Sequence, residues 1–399
     1  MDNTDSRSFE SITKAPYTVI DAETTTHNKG HPFDPRNRLI SYAYLTRDWP
    51  ICFRYYTDPN FRGHIPASVV VGLNVKFDLH WLKHSLSPTI KIWDCQLAEH
   101  VYTGQKAPYI SLNECLEKYG LGSKTDVVKE LWDAGVQTDE IPIDILKEYN
   151  EWDVKQTEQL FLTQQILLND EQKNLVYLMG EDLKVLAAIE QAGLLFDSEN
   201  AAQALAKYKL DVIQIEEQLQ GYLPPIQHGT FNWDSGDHLS CLLYGGTLEF
   251  DWCTSEPAVY KSGEKKGQEY VKHAWFTEEV VFAGYYKPLE GTETKKTKDN
   301  AAAKTRYYQT DVPTLSSLKG GGVKGKQLLS HLNLRSEKQK VVEMLESIFK
   351  QFADKQWENN IVHGTYNQNV AITGRLSSTA PNMQNQPPEV EQFFISRYD

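Results

Sequence analysis

From Tyr17 the chain alternates between short runs of β-branched and aromatic residues and stretches whose apolar positions recur at helical spacing. YTVIDAET reads as a strand. RLISYAYLT and ICFRYYT, separated by the turn-prone RDWP, read as two antiparallel neighbours. SVVVGLN is a continuous apolar run, the pattern of a strand buried on both faces. FDLHWLKHSL then places Phe77, Trp81 and Leu82 at helical spacing. SLNECLEKYG, DVVKELWDAG and a long segment from Pro142 to about Asn169 are further helices, the last with a proline suitably near its start. Strands mixed with crossover helices predict a three-layer α/β domain ending near residue 170.

Beyond that point the pattern turns helical. NLVYLMGEDLKVLAAIEQAG ends at Gly193 and ENAAQALAKYKLDVIQIEEQLQG at Gly221, both plausible positions just past a helix end. Residues 250–306 are rich in Lys, Thr, Gly and Glu, with KSGEKKGQ and ETKKTKDNAAAK as the most polar parts and a β-like pair, EYVKHAW and EVVFAGYY, between them. This stretch reads as an insertion with mobile loops and a small hairpin. KGGGVKGK at 319–326 reads as a flexible basic linker, and SEKQKVVEMLESIFKQFADKQW as a second long amphipathic helix capped by Ser336. There are no internal repeats.

A length of 399 residues predicts two or three domains, and 40% hydrophobic with 24% charged residues excludes disordered, collagen-like and fibrous classes. No apolar run approaches the roughly 20 residues that span a bilayer, and MDNTDSRSFE is no signal peptide. The five cysteines (52, 95, 115, 241 and 253) form no C-x-x-C pair, so a disulfide framework or zinc knuckle is not expected and the cytoplasm is the default location. The net charge of −13 is uneven: residues 1–172 and 173–253 carry −8 each, whereas 254–399 carry +3. An acidic front and a mildly basic back are compatible with a metal-binding carboxylate site followed by a nucleic-acid surface.

The acidic residues supply the candidate chemistry. Asp21 and Glu23 stand two apart in an extended run, so both carboxylates face one side. Asp78 lies just after the second buried strand. Tyr149 and Asp153 are at i, i+4 on the long helix and share a face. Four converging carboxylates repel one another unless divalent cations neutralise them. Hard cations such as Mg²⁺ take carboxylate oxygens, and two of them stabilise the attacking and leaving oxygens of phosphodiester cleavage. Each residue also has an ordinary role open to it: Asp78 as a helix cap, Tyr149 as a rim aromatic, Asp153 as one more charge on an acidic helix. It is the ordered set that points to a site.

VIDAETT, VGLNVKFDLHWL and YNEWDVKQT resemble, in order, the three motifs of the DEDD superfamily of 3′–5′ exonucleases. Asn74 with Asp78 matches the second motif. Tyr149 with Asp153 matches the tyrosine version of the third, because position 148 is Glu and not His. The resemblance implies a ribonuclease H-like domain over 16–170 after a tail at 1–15. It further implies catalysis by Asp21, Glu23, Asp78, Tyr149 and Asp153, with two Mg²⁺ (or Mn²⁺) ions held by Asp21, Glu23 and Asp153 and, in the outer sphere, Asp78. Asn74 would contact nucleic acid.

A second resemblance lies downstream. AITGRLSSTAPNMQNQP at 371–387 is similar to the T-G-R-L-S-S-x-x-P-N-L-Q-N-I-P segment of family A DNA polymerases, which follows the minor groove of the primer–template. VLAAIEQAGLLFDSEN, GTFNWDSGDHLSCLLYGG (with His238 where the family usually has Gln) and IVHGTYNQNV fit the same family. The implied layout is a mostly α-helical thumb over 171–360, carrying the 250–306 insertion, and the start of an α+β palm over 361–399. Arg375 would meet a backbone phosphate. Asn382, Gln384 and Asn385 would donate to minor-groove acceptors, and Ser377 and Ser378 would let the backbone approach.

The D-Y-S-Q-I-E-L-R motif expected shortly after FFISRYD is not among the 399 residues, and Asp399 precedes its expected place. The resemblances therefore imply a proofreading exonuclease and primer–template grip of a phage-like polymerase. Polymerisation would need a second chain bearing palm and fingers, and an apolar face around 365–399 would await it. The insertion would be either a solvated excursion or a processivity element acting through Trp275, Phe276, Tyr285 and Tyr286. A free-standing RNase D-like nuclease and an inactive DNA-binding fragment are the competing expectations. Substrates would be single-stranded 3′ ends and primer–template DNA, with no membrane partner.

Overall fold

The computed structural model describes residues 17–106, 108–122, 127–259, 262, 268–300 and 305–397. The expected N-terminal tail, Asp399 and most of KSGEKKGQ lie outside them. The chain forms two compact units, one of residues 1–201 with 344–399 and one of 202–343.

The first unit is built on a five-stranded sheet of β1 (Tyr17–Thr24), β2 (Leu39–Thr46), β3 (Cys52–Tyr55), β4 (Val69–Gly72) and β5 (Lys91–Asp94), in the order β3-β2-β1-β4-β5. β1, β2 and β3 pair antiparallel, as the two runs flanking RDWP predict, while β1, β4 and β5 pair in parallel. Strand alternation splits the apolar side chains between two cores. Val19, Val71 and Trp93 pack with Val154, Leu160 and Phe161 of α5 (Ile143–Leu167) on one face. Ile20, Val70 and Ile92 pack with Val75, Leu79 and Leu82 of α1 (Val75–Leu82) on the other. This gives three layers, with Val69–Gly72 buried throughout as its sequence requires.

Two elements went unpredicted, β5 and α2 (Cys95–Tyr102). Their sequence, KIWDCQLAEHVY, runs from strand to helix without a glycine or proline to mark the join. The join is made by Asp94, whose side chain accepts from the Gln96 and Leu97 N–H groups and caps α2. The predicted helices at 111–120 and 126–135 are α3 (Leu112–Tyr119) and α4 (Val127–Asp133). α6 (Asp170–Ala192), expected to begin a separate helical region, belongs to the first unit and contributes Leu183 to its second core. Gly180 permits the close approach of α6, since a Cβ there would collide with the Ile92 carbonyl. A small sheet of β6 (Leu194–Phe196), β9 (Ile361–Val362) and β12 (Phe394–Ile395) completes the unit around Phe196, which is fully buried among Phe349, Phe352, Phe393 and Phe394.

The second unit has its own core. Ile215 and Leu219 of α7 (Ser198–Gln220), Leu242 and Leu243 of α8 (Gly236–Tyr244), and Leu328 and Leu332 of α11 (Gly322–Lys355) meet Phe231, Trp233 and the base of a hairpin. That hairpin corrects the sequence reading. β7 (Gly246–Val259) and β8 (Glu269–Phe282) pair over 14 residues each, so EYVKHAW and EVVF form one strand and the partner is GTLEFDWCTSEPAV. Thr277 and Glu278 continue the strand between those two runs, and the Glu278 carboxylate accepts the backbone N–H groups of Gln227 and His228. α11 corrects it again. KGGGVKGK is not a linker past Gly321, because the helix starts at Gly322 and runs through Ser336 without a cap, carried by buried Leu328 and Leu332. Tyr286 is buried in the core, and half-buried Tyr285 donates to the Tyr222 carbonyl (3.1 Å). Trp275 and Phe276 are exposed. No helix among the described residues is long and apolar enough to cross a membrane.

Candidate active site

Asp21 and Glu23 share the parity of Val19 on β1 and so face the α5 layer. α5 presents Asp153 to the same place, and ligand oxygens of Asp21, Glu23 and Asp153 all lie within 4.8 Å of one another. Asp78 approaches from α1, in the opposite layer. It is not in that set, but it is buried beside it. Burial, and then the charge of Asp21, push its carboxyl well above the ordinary range, and a backbone hydrogen bond from Ala22 offsets only part of this. Three hard oxygen donors crowded beside a fourth acid are the donor chemistry a divalent cation satisfies. Tyr149 lies one turn before Asp153, half-buried, with the Trp132 ring edge-on at 5.7 Å.

Asp94 aims α1. Besides capping α2, its carboxylate accepts from the N–H groups of Asn74 (3.2 Å) and Val75 (2.8 Å), so one buried side chain pins the starts of both helices. Asn74 itself sits in the left-handed region (φ 57°), which Asn tolerates, and its side chain is exposed. Beside the carboxylates lies a cavity of about 540 Å³ lined by Glu23, Phe77, Trp132, Lys29 and Lys129 among others. Phe77 and Trp132 were legible in sequence only as helix-face apolar residues. Nothing in their spacing distinguished a cavity wall from a core.

The downstream residues form a separate group. β10 (Thr365–Asn367) pairs antiparallel with β11 (Ser377–Thr379), and the tip between them carries exposed Arg375. Ser378 is buried: its hydroxyl accepts from Met383 N–H at 3.1 Å, which shapes the following turn. Asn382 is used in the same way, accepting from Gln384 N–H at 3.1 Å. Ser377 is half-buried, whereas Gln384 and Asn385 are exposed. Arg375, Gln384 and Asn385 face outward, while the Ser378 hydroxyl and the Asn382 side-chain oxygen are engaged in shaping the loop.

β10 is fastened through Glu190 of α6, a residue the sequence did not single out. Its buried carboxylate accepts from Lys76 Nζ (2.5 Å), His80 Nε2 (2.9 Å) and the Tyr366 N–H (2.7 Å), and Lys76 also donates to the Tyr366 carbonyl. Burial alone would raise this carboxyl, but the His80 hydrogen bond, the Lys76 ammonium and the Tyr366 N–H together hold it below its ordinary value.

The description DNA polymerase family A matches residues 284–397. DNA polymerase I of Mycobacterium bovis and of Mycobacterium tuberculosis are each 38% identical over 97 residues, which is 24% of this chain and 9% of theirs. Among solved structures, the POL domain of Pol1 from M. smegmatis, in a complex with DNA primer-template and dNTP, is similar with a TM-score of 0.57 at 15% identity. It covers 99% of this chain and 58% of the other. Residues 284–397 thus carry a family A polymerase segment, and the chain as a whole shares the fold of that polymerase domain.

Proposed function

We propose that this chain is a 3′–5′ exonuclease joined to the primer–template grip of a family A DNA polymerase. The observation that carries the nuclease reading is the convergence of Asp21, Glu23 and Asp153 beside buried Asp78, in a three-layer unit read as ribonuclease H-like. The family match over 284–397 supports the grip. In this reading the motifs assign exonuclease function to about 170, thumb to 360 and palm thereafter, whereas the compact units of the fold are divided at 201/202 and 343/344.

Asp21, Glu23 and Asp153 would hold the cations, with Asp78 acting from the outer sphere. Bound Mg²⁺, or Mn²⁺ in its place, supplies Lewis-acid stabilisation of the attacking and leaving oxygens. Tyr149 orients the attacking water through its hydroxyl. Phe77 and Trp132 flank the terminal base, and Lys29 faces the backbone of the strand entering the cavity. Arg375 contacts a duplex phosphate, while Gln384 and Asn385 reach minor-groove acceptors common to all base pairs.

The test is incubation with 5′-labelled single-stranded DNA and Mg²⁺ beside Asp21→Ala. A ladder shortening from the 3′ end in the wild type alone is expected. Shortening of RNA in preference to DNA would favour an RNase D-like role instead, and equal activity of Asp21→Ala would remove the site.

A further inference from the structure

Asn150 lies between Tyr149 and Asp153 on α5 and is fully buried against β1 and β2. A buried amide is costly unless both its ends are bonded. Here both are: Nδ2 donates to Asp21 Oδ2 at 2.8 Å, and Oδ1 accepts from the Ser41 hydroxyl at 2.6 Å. The orientation of the amide follows from chemistry. An ionised carboxylate only accepts, so the NH₂ must face Asp21, and the oxygen left behind needs a donor, which Ser41 provides. Ser41 is itself fully buried and stands directly opposite Glu23 in the β1–β2 register.

The Ser41–Asn150–Asp21 chain thus joins three elements at the carboxylate cluster. It sets the rotation of α5 about β1, and with it the approach of Asp153, which is three residues on and on the same helix face. It also gives the Asp21 carboxylate a neutral donor that fixes the orientation of one of its oxygens. A leucine at this position would fill the same space without either effect.

Resting on the exonuclease reading, we propose that Asn150 is a positioning residue for Asp21, held in its working orientation by Ser41, and that the pair tunes the affinity of the carboxylate cluster for divalent cations. Outer-shell partners of ligating groups typically change metal affinity about 10–100-fold.

The experiment is calorimetric titration of Mn²⁺ alone into the full chain, comparing wild type, Asn150→Ala, Ser41→Ala and Asp21→Ala. Asn150→Ala should weaken Mn²⁺ binding about 10–100-fold, and Ser41→Ala should weaken it in the same direction but less. The cleavage deficit of Asn150→Ala should shrink as Mn²⁺ is raised, which a packing defect would not do. Wild-type Mn²⁺ affinity in folded Asn150→Ala would overturn the proposal. If Asn150→Ala does not fold, Ser41→Ala, lacking one hydroxyl, decides the matter: unchanged affinity there overturns the proposal equally. Failure of the exonuclease reading is separately visible, because Asp21→Ala would then bind Mn²⁺ like the wild type.

Discussion

Glu190 and Asp78 are both buried carboxylates of the first unit, and their surroundings have opposite sign. Glu190 has a cation, a histidine and a backbone N–H on its two oxygens, and its carboxyl is held low. Asp78 has burial and the charge of Asp21 against it, and its carboxyl is pushed high. The first arrangement is what a fold does with a buried charge that serves structure: it surrounds the charge with donors. The second leaves like charges facing one another, a repulsion that stability alone gives no reason to keep. Under the proposed function, the difference marks the cluster around Asp78 as the one suited to a ligand.

Removing the ligand-binding side should have the largest effect. Asp21→Ala is expected to lower single-strand cleavage by at least roughly a thousandfold, the several kcal/mol that a bound metal contributes. Gel-resolved rates beside an unchanged circular dichroism spectrum check this. Glu190→Gln attacks the other side of the comparison, leaving Lys76 without its carboxylate. It should destabilise the first unit by about 3 kcal/mol in denaturant unfolding.

The sign with pH follows from the depressed Glu190 carboxyl. Its contribution is fully present above the ordinary value of 4.5 and is lost as pH falls through the lower folded value. The gap between wild type and Glu190→Gln should therefore close in acid.

Tyr149→Phe keeps the carboxylates and should slow cleavage by about a hundredfold at unchanged Mn²⁺ affinity. Arg375→Ala should have the smallest effect. It should reduce the salt slope of duplex binding by about one and leave single-strand cleavage intact.

Much of this was legible in the sequence where local rules speak alone. Val69–Gly72 had to be a doubly buried strand, and the parity of Asp21 and Glu23 put them on one face. The long helix carried Tyr149 and Asp153 together. What was hidden depends on distant partners. The Glu278 carboxylate meets the backbone of Gln227 and His228 across 50 residues. Ser336 looks like a helix cap but lies inside α11, because Leu328 and Leu332 find a core that extends the helix toward Gly322. Asn150 and Ser41 are 109 residues apart, and neither residue type announces its role. Asp94 carried no signal at all until two helix starts were seen to converge on it.

The most direct measurement is the denaturant midpoint of Asp78→Asn beside the wild type, in EDTA at pH 7 and again with Mg²⁺. A carboxyl raised in the folded state contributes stability that is fully present below its ordinary value of 3.8 and is lost as pH rises through the higher folded value. In EDTA at pH 7 the variant should therefore be the more stable protein, and Mg²⁺ should stabilise the wild type more than the variant. A variant less stable than the wild type in EDTA, with neither responding to Mg²⁺, would mean that the acidic cluster is an ordinary part of the fold and not a metal site.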